Sequence, residues 1–152
     1  MIVTRLSVED APAAAELIET VVGKTPHLKD HPGTLGWLHD WYSVESLTAK
    51  IRAEYGLAVR DESGGLEGVG FVDLVTGYIT GVYVLDQGHG YGSYLIAYLL
   101  EHLDKPVAAQ AFMHLHPDSA MRYVAEKFGF RDVGPDPSKV YFPDEDYRVY
   151  SR

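Results

Sequence analysis

The stretch Gln87-Gly88-His89-Gly90-Tyr91-Gly92 lies between YITGVYVLD (residues 78–86) and SYLIAYLLEHL (residues 93–103). Glycine at every second position suits neither a strand nor a helix interior, where each costs roughly 0.5–1 kcal/mol relative to alanine. Between an aromatic-aliphatic strand and a long apolar helix, such a turn has a chemical use. Without side chains, successive main-chain N–H groups can converge on an anion, and the helix N-terminus adds a favourable dipole. The spacing of Gly88, Gly90 and Gly92 does not give G-x-G-x-x-G, and no Gly-Lys-Ser/Thr follows. Dinucleotide-binding and P-loop readings are therefore excluded.

Working outward, MIVTRLS (1–7) alternates like a half-buried strand. Asp10-Ala11-Pro12 reads as a helix start, and AAAELIETVVG (13–23) groups Leu17, Ile18, Val21 and Val22 on one side, ending near Gly23. KTPHLKDHPGTLG (24–36) reads as a loop or short broken helix. A second helical region is expected over WLHDWYSVESLTAKIRAEYG (37–56). It has Leu47, Ile51 and Tyr55 at four-residue spacing, and Trp37 and Trp41 share a face. LAVRDE (57–62) and LEGVGFVDL (66–74) flank Ser63-Gly64-Gly65 as a hairpin, and TGYITGVYVL (76–85) is a further strand. Helix periodicity returns through Leu95, Leu99 and Leu103. PVAAQAFMHLH (106–116) reads as a strand. PDSAMRYVAEKFG (117–129) reads as a helix starting at Pro117 or Asp118 and stopped by Gly129. FRDVG and KVYFPDEDYRVYSR close the chain with two strands.

The chain has 152 residues, no cysteine and a formal net charge of −9. That length fits one domain spanning 1–152. Lack of cysteine removes disulfides, thiolate metal sites and a cysteine nucleophile. The acidic balance argues against nucleic acid and is compatible with a cationic or amine ligand. No apolar run approaches the roughly 20 residues of a membrane helix. The charged start MIVTRLSVED lacks a signal-peptide core, so a cytoplasmic location is expected.

Two motifs carry a resemblance. Gln87, Gly90 and Gly92 meet the pattern Q/R-x-x-G-x-G/A, with Gly88 as an additional glycine, and Arg122–Phe130 (RYVAEKFGF) ends in Gly-Phe before a strand. In both motifs, and in the order of elements across the whole chain, the sequence resembles the GNAT superfamily of acetyl-CoA-dependent N-acetyltransferases. The resemblance implies an α/β (α+β) fold. Its central, mixed and mostly antiparallel sheet has about seven strands, splayed between the fourth and fifth and flanked by about four helices.

What the family binds and does carries over position by position. Val82, Tyr83 and Val84 would line the splay, their strand supplying main-chain groups that pair with pantetheine and polarise the thioester carbonyl. Gln87, Gly88, His89, Gly90, Tyr91, Gly92 and Ser93 would grip the pyrophosphate of acetyl-CoA, the co-substrate. For His89, phosphate contact and plain solvent exposure both stand. Asp118 falls where the family often has asparagine. Ala125 falls where it has the tyrosine commonly assigned as general acid, and Tyr123, two residues away, is about 200° round the helix. Tyr123 is thus a catalytic candidate only if the helix is shifted, and otherwise a packed aromatic.

Acyl transfer to an amine needs the amine neutral, which favours a nearby base. Gln110, Phe112, His114 and His116 share one strand face, making His114 and His116 candidates, with a structural role as the alternative for each. The His-x-His pair places no third ligand, so no metal is expected. Trp37, His39, Asp40, Trp41, Tyr42 and the Tyr141–Tyr150 segment fall where such folds choose the acceptor. An aromatic and acidic wall suits a cationic amine, of a small molecule or a peptide, although the tryptophans equally suit a core or a homodimer interface. The expected activity is N-acetylation by direct attack. The competing readings are a non-catalytic acyl-CoA-binding or regulatory domain, and a structural homo-oligomer.

Overall fold

The computed structural model describes residues 1–25, 28, 32–103, 111–136 and 147–152. Strand β1 (Ile2–Arg5) leads through a 3-10 turn (Val8–Asp10) into α1 (Ala11–Gly23). Helices α2 (Pro32–Trp41) and α3 (Val44–Ala53) follow, then β2 (Tyr55–Arg60), β3 (Leu66–Val72) and β4 (Ile79–Val84). Helix α4 (Tyr91–Leu103), β5 (Phe112–Leu115), α5 (Met121–Lys127), β6 (Arg131–Pro135) and β7 (Arg148–Ser151) complete the chain.

The strands form two antiparallel sheets, one in the order β1-β2-β3-β4 and the other β5-β7-β6. They meet where Tyr78 bridges Phe112 in parallel, and the Phe112 N–H donates to the Gly77 carbonyl at 3.1 Å. Beyond that bridge β4 and β5 part, as expected for a sheet splayed between its fourth and fifth strands.

Helix α4 holds the two halves together. Leu95, Ile96 and Leu99 are fully buried in a core that also takes in Val59 of β2, Met113 of β5 and Tyr150 of β7. Each such side chain stabilises the fold by about 1.5–3 kcal/mol. On the other face of the first sheet a second core joins Leu17 and Ile18 of α1, Leu47 of α3 and Phe71 of β3. The burial of Leu17, Ile18, Leu95 and Leu99 follows the helical spacing read from the sequence.

Four boundaries differ from expectation, the first being that α2 begins at Pro32, inside the stretch read as a loop or short broken helix, and not at Trp37. The second helical region is two helices, so the described residues hold five helices against about four expected. The break falls at Ser43, whose extended backbone and side-chain oxygen cap α3 by accepting from the Ser46 N–H at 3.2 Å. Tyr55 belongs to β2 and not to a helix, because the chain turns extended at Glu54. There the Tyr55 ring stacks on His102 at 3.7 Å, with Arg5 over it at 3.9 Å. Helix α5 starts at Met121, later than Pro117 or Asp118. Ahead of it the Asp118 N–H donates to His116 Nδ1 at 3.0 Å and the Ser119 N–H to the His116 carbonyl at 2.9 Å, forming a turn. Gln110, within the expected fifth strand, and residues 141–146 of the aromatic tail lie outside the described residues.

Candidate active site

Parting of β4 from β5 leaves a cleft of about 920 Å³. It runs from the glycine loop, along the edge of β4 that no strand of the described residues covers, to the ends of α1 and α2. Its closed end is the Tyr78–Phe112 bridge, where the two rings stack at 5.0 Å and 6°.

At the loop end Gly88 and Gly90 hold φ of +92° and +78°, a left-handed backbone that costs an L side chain roughly 1–2 kcal/mol. The Gly90 carbonyl receives the first helical bond of α4, from the Tyr94 N–H at 3.0 Å. The N–H groups of the first turn have no partner inside the helix and point into the loop region. A Cβ at Gly92 would come 3.4 Å from Met121 Cε and 3.9 Å from Val84 Cγ2, filling the space between loop, β4 and α5. This set of donors, dipole and room fits an anionic group of phosphate size.

Nearly all residues expected to bind the cofactor line this cleft: Val82, Tyr83 and Val84 on β4, then Gln87, Gly88, Gly90, Tyr91, Gly92, Ser93 and Asp118. The Asp118 side chain stands at the rim, 79% exposed. His89 is not on the cleft wall. It is exposed and stacks on Tyr91 at 5.4 Å.

His114 and His116 both face the cleft. His114 Nδ1 is 3.2 Å from Tyr78 Oη, and burial pushes its imidazole below the ordinary value while Asp136 opposes the shift. His116 Nδ1 is an acceptor for the Asp118 N–H, so its neutral ring carries the proton on Nε2. Tyr123 is not brought to the cleft. It is 58% exposed on α5, its hydroxyl accepts from the Arg122 guanidinium at 2.8 Å, and the same guanidinium lies over its ring. Helix α5 instead presents Met121 and Val124 to the cleft, while Ala125 is fully buried in the core.

The far end is aromatic. Trp37 and Trp41 stack at 5.1 Å, and Tyr42 meets Tyr83 edge-on at 5.1 Å. Burial raises the Tyr42 phenol well above its ordinary value and pushes Tyr83 up to about 12, so both stay protonated at neutral pH. His39 and Asp40 are exposed and turned away from the cleft. Tyr147 of the aromatic tail does line it, while Tyr150 packs in the core.

Sequence reasoning missed Tyr78, Glu54 and Thr80, all on the cleft wall. Thr80 Oγ1 donates to Glu54 Oε1 at 2.6 Å, and Lys50 Nζ donates to Glu54 Oε2 at 2.8 Å. Burial lowers the Lys50 ammonium against the opposing pull of Glu54. The only local signal was Lys50 and Glu54 at four-residue spacing near the end of a helical pattern.

No family profile and no curated protein sequence matches the chain. Solved structures do. The PaiA N-acetyltransferase of Thermoplasma acidophilum, crystallised with coenzyme A, superposes with a TM-score of 0.81 at 14% identity, over 100% of this chain and 99% of its own. A GCN5-related N-acetyltransferase from Rhodopseudomonas palustris gives 0.81 at 14%, over 99% and 94%. The ribosomal-protein-alanine N-acetyltransferase of Brucella melitensis gives 0.68 at 17%, over 100% and 99%. At these identities the likeness establishes the fold, which is that of the GNAT N-acetyltransferases.

Proposed function

On this fold, we propose that the protein is an acetyltransferase that moves an acetyl group from acetyl-CoA to a primary amine by direct attack. One observation carries the reading: the gap between β4 and β5 opens directly onto the glycine-rich N-terminus of α4. The relatives crystallised with coenzyme A or acetyl-CoA support the choice of co-substrate.

Acetyl-CoA would supply an acetyl group activated as a thioester, whose C–S bond breaks as a neutral amine nitrogen bonds to the carbonyl carbon, the departing thiolate taking up the proton that this nitrogen gives off. Residues of this chain do the rest. Main-chain N–H groups of the loop and of the first turn of α4 hold the pyrophosphate. The uncovered edge of β4 pairs with the extended pantetheine arm and offers N–H donors to the carbonyl oxygen. His114, kept neutral by burial, takes the proton that the ammonium must lose before attack. Trp37 and Trp41 form the wall that receives the acceptor, a cationic amine on a small molecule or peptide, through cation–π contact.

A thiol-release assay with acetyl-CoA across an amine panel, run beside calorimetry with CoA, tests the reading. Turnover on at least one amine is expected. Tight CoA binding with no turnover on any acceptor would make the protein an acyl-CoA carrier or regulator instead.

A further inference from the structure

Strand β4 carries one residue more than its neighbour: Phe71 pairs with Gly81 and Val72 with Ile79, leaving Thr80 as the extra residue of a bulge. Bulges re-aim the main chain and are soft points in a ladder. Here the carbonyl and the hydroxyl of the extra residue are both held from outside the sheet. The Thr80 carbonyl accepts from Tyr42 Oη at 3.0 Å, and its hydroxyl donates to Glu54, which in turn holds Lys50. Lys50 is 7% exposed and its Nζ lies 5.5 Å from the Trp41 ring centroid and 5.2 Å from that of Phe71. Gly81 makes the approach of Tyr42 possible, because a Cβ there would sit 2.7 Å from both Tyr42 Oη and Tyr83 Cε2.

A buried ion pair adds little net stability over apolar side chains of the same volume, so stability alone does not account for Lys50–Glu54. What the pair does on the page is orient one carboxylate oxygen at the bulge residue. We propose that Tyr42, Glu54 and Lys50 are a positioning network that fixes Thr80 from both sides. The network thereby sets the direction in which Gly81 and Val82 present their main chain to the cleft. Its effect on catalysis rests on the acetyl-transfer reading; its effect on β4 does not.

Two measurements test it on the full-length protein. In amide hydrogen exchange without ligand, Tyr42→Phe and Thr80→Val are expected to speed exchange over residues 80–83 about tenfold, the β2–β3 pairs staying as they are. Thr80→Ser, which keeps the hydroxyl, is expected to stay within about twofold of wild type. In the thiol-release assay the first two variants are expected to lose up to about 100-fold in kcat, with KM for acetyl-CoA moving about twofold or less. Exchange that is unchanged, or faster across the whole sheet alike, overturns the network. So does a lowered thermal midpoint with kcat untouched, which would mark a merely structural role. If the wild type turns over no amine, the proposed function falls, and the exchange measurement still decides the network.

Discussion

His114 Nδ1 and Tyr78 Oη face each other at 3.2 Å beside the bridge that closes the cleft. The contact joins the two sheets through side chains, and it sets the His114 imidazole against the stacked Tyr78–Phe112 pair.

A pH dependence follows from that burial. With the His114 imidazole held below its ordinary 6.5, the unfolded chain takes up this proton first as pH falls. Stability at this site is therefore intact above about pH 6.5 and declines below it, levelling off once native His114 is protonated too. Turnover should persist to lower pH than a free imidazole would allow. His114→Gln should abolish that acid limb and cost about 100-fold or more in kcat. A pH profile of kcat/KM unchanged by His114→Gln would assign the proton to another group.

The glycine loop gives a graded series. Gly90→Glu puts a charged side chain at a left-handed position in the phosphate cradle and should weaken CoA binding by about tenfold or more. Gly90→Asn, a residue that tolerates positive φ, should lose much less. Calorimetry with CoA reads both. Equal affinity for Gly90→Glu and wild type would take the pyrophosphate away from this loop.

Gly81→Ala tests crowding. Its methyl would lie 2.7 Å from two buried tyrosine atoms, so a loss of about 1–3 kcal/mol in chemical denaturation is expected. Gly68→Ala also meets a neighbour tightly, but at 3.2 Å, and should cost less.

The α5 positions separate fold from chemistry. Tyr123→Phe, altering an exposed hydroxyl outside the cleft, should leave kcat within about twofold. Ala125→Tyr, which writes in the tyrosine of the family the sequence resembles, should destabilise by about 1–3 kcal/mol or more, because Ala125 is fully buried. Turnover that rises in folded Ala125→Tyr would refute this placement of the helix.

What the sequence disclosed was local. The Gln87–Gly92 turn is recognisable because each glycine answers to its own backbone, and Leu95 and Leu99 because one helix repeats every 3.6 residues. The Thr80 clamp was hidden, since its partners Tyr42 and Glu54 lie 38 and 26 residues away and its place depends on a register slip with no composition signal. Tyr78 meets His114 only because the chain crosses from one sheet to the other. Helix α5 starts later than the sequence pattern suggests because residues 116–119 close a turn, the Ser119 N–H reaching the His116 carbonyl three residues back, and Ser119 Oγ then accepts from the Met121 N–H as a cap does.

The bridge at Tyr78 and Phe112 makes β4 a ruler. Strand residues advance about 3.3 Å each and the bulge at Thr80 adds no length, so Ile79 at the closed end lies about 13 Å from Val84 beside the glycine loop. On the acetyl-transfer reading, a ligand anchored by its phosphates is measured by that strand: the atom it presents at the closed end is chosen by its length. Adding or removing two residues of β4 would shift that mark by about 7 Å and select a longer or shorter carrier arm.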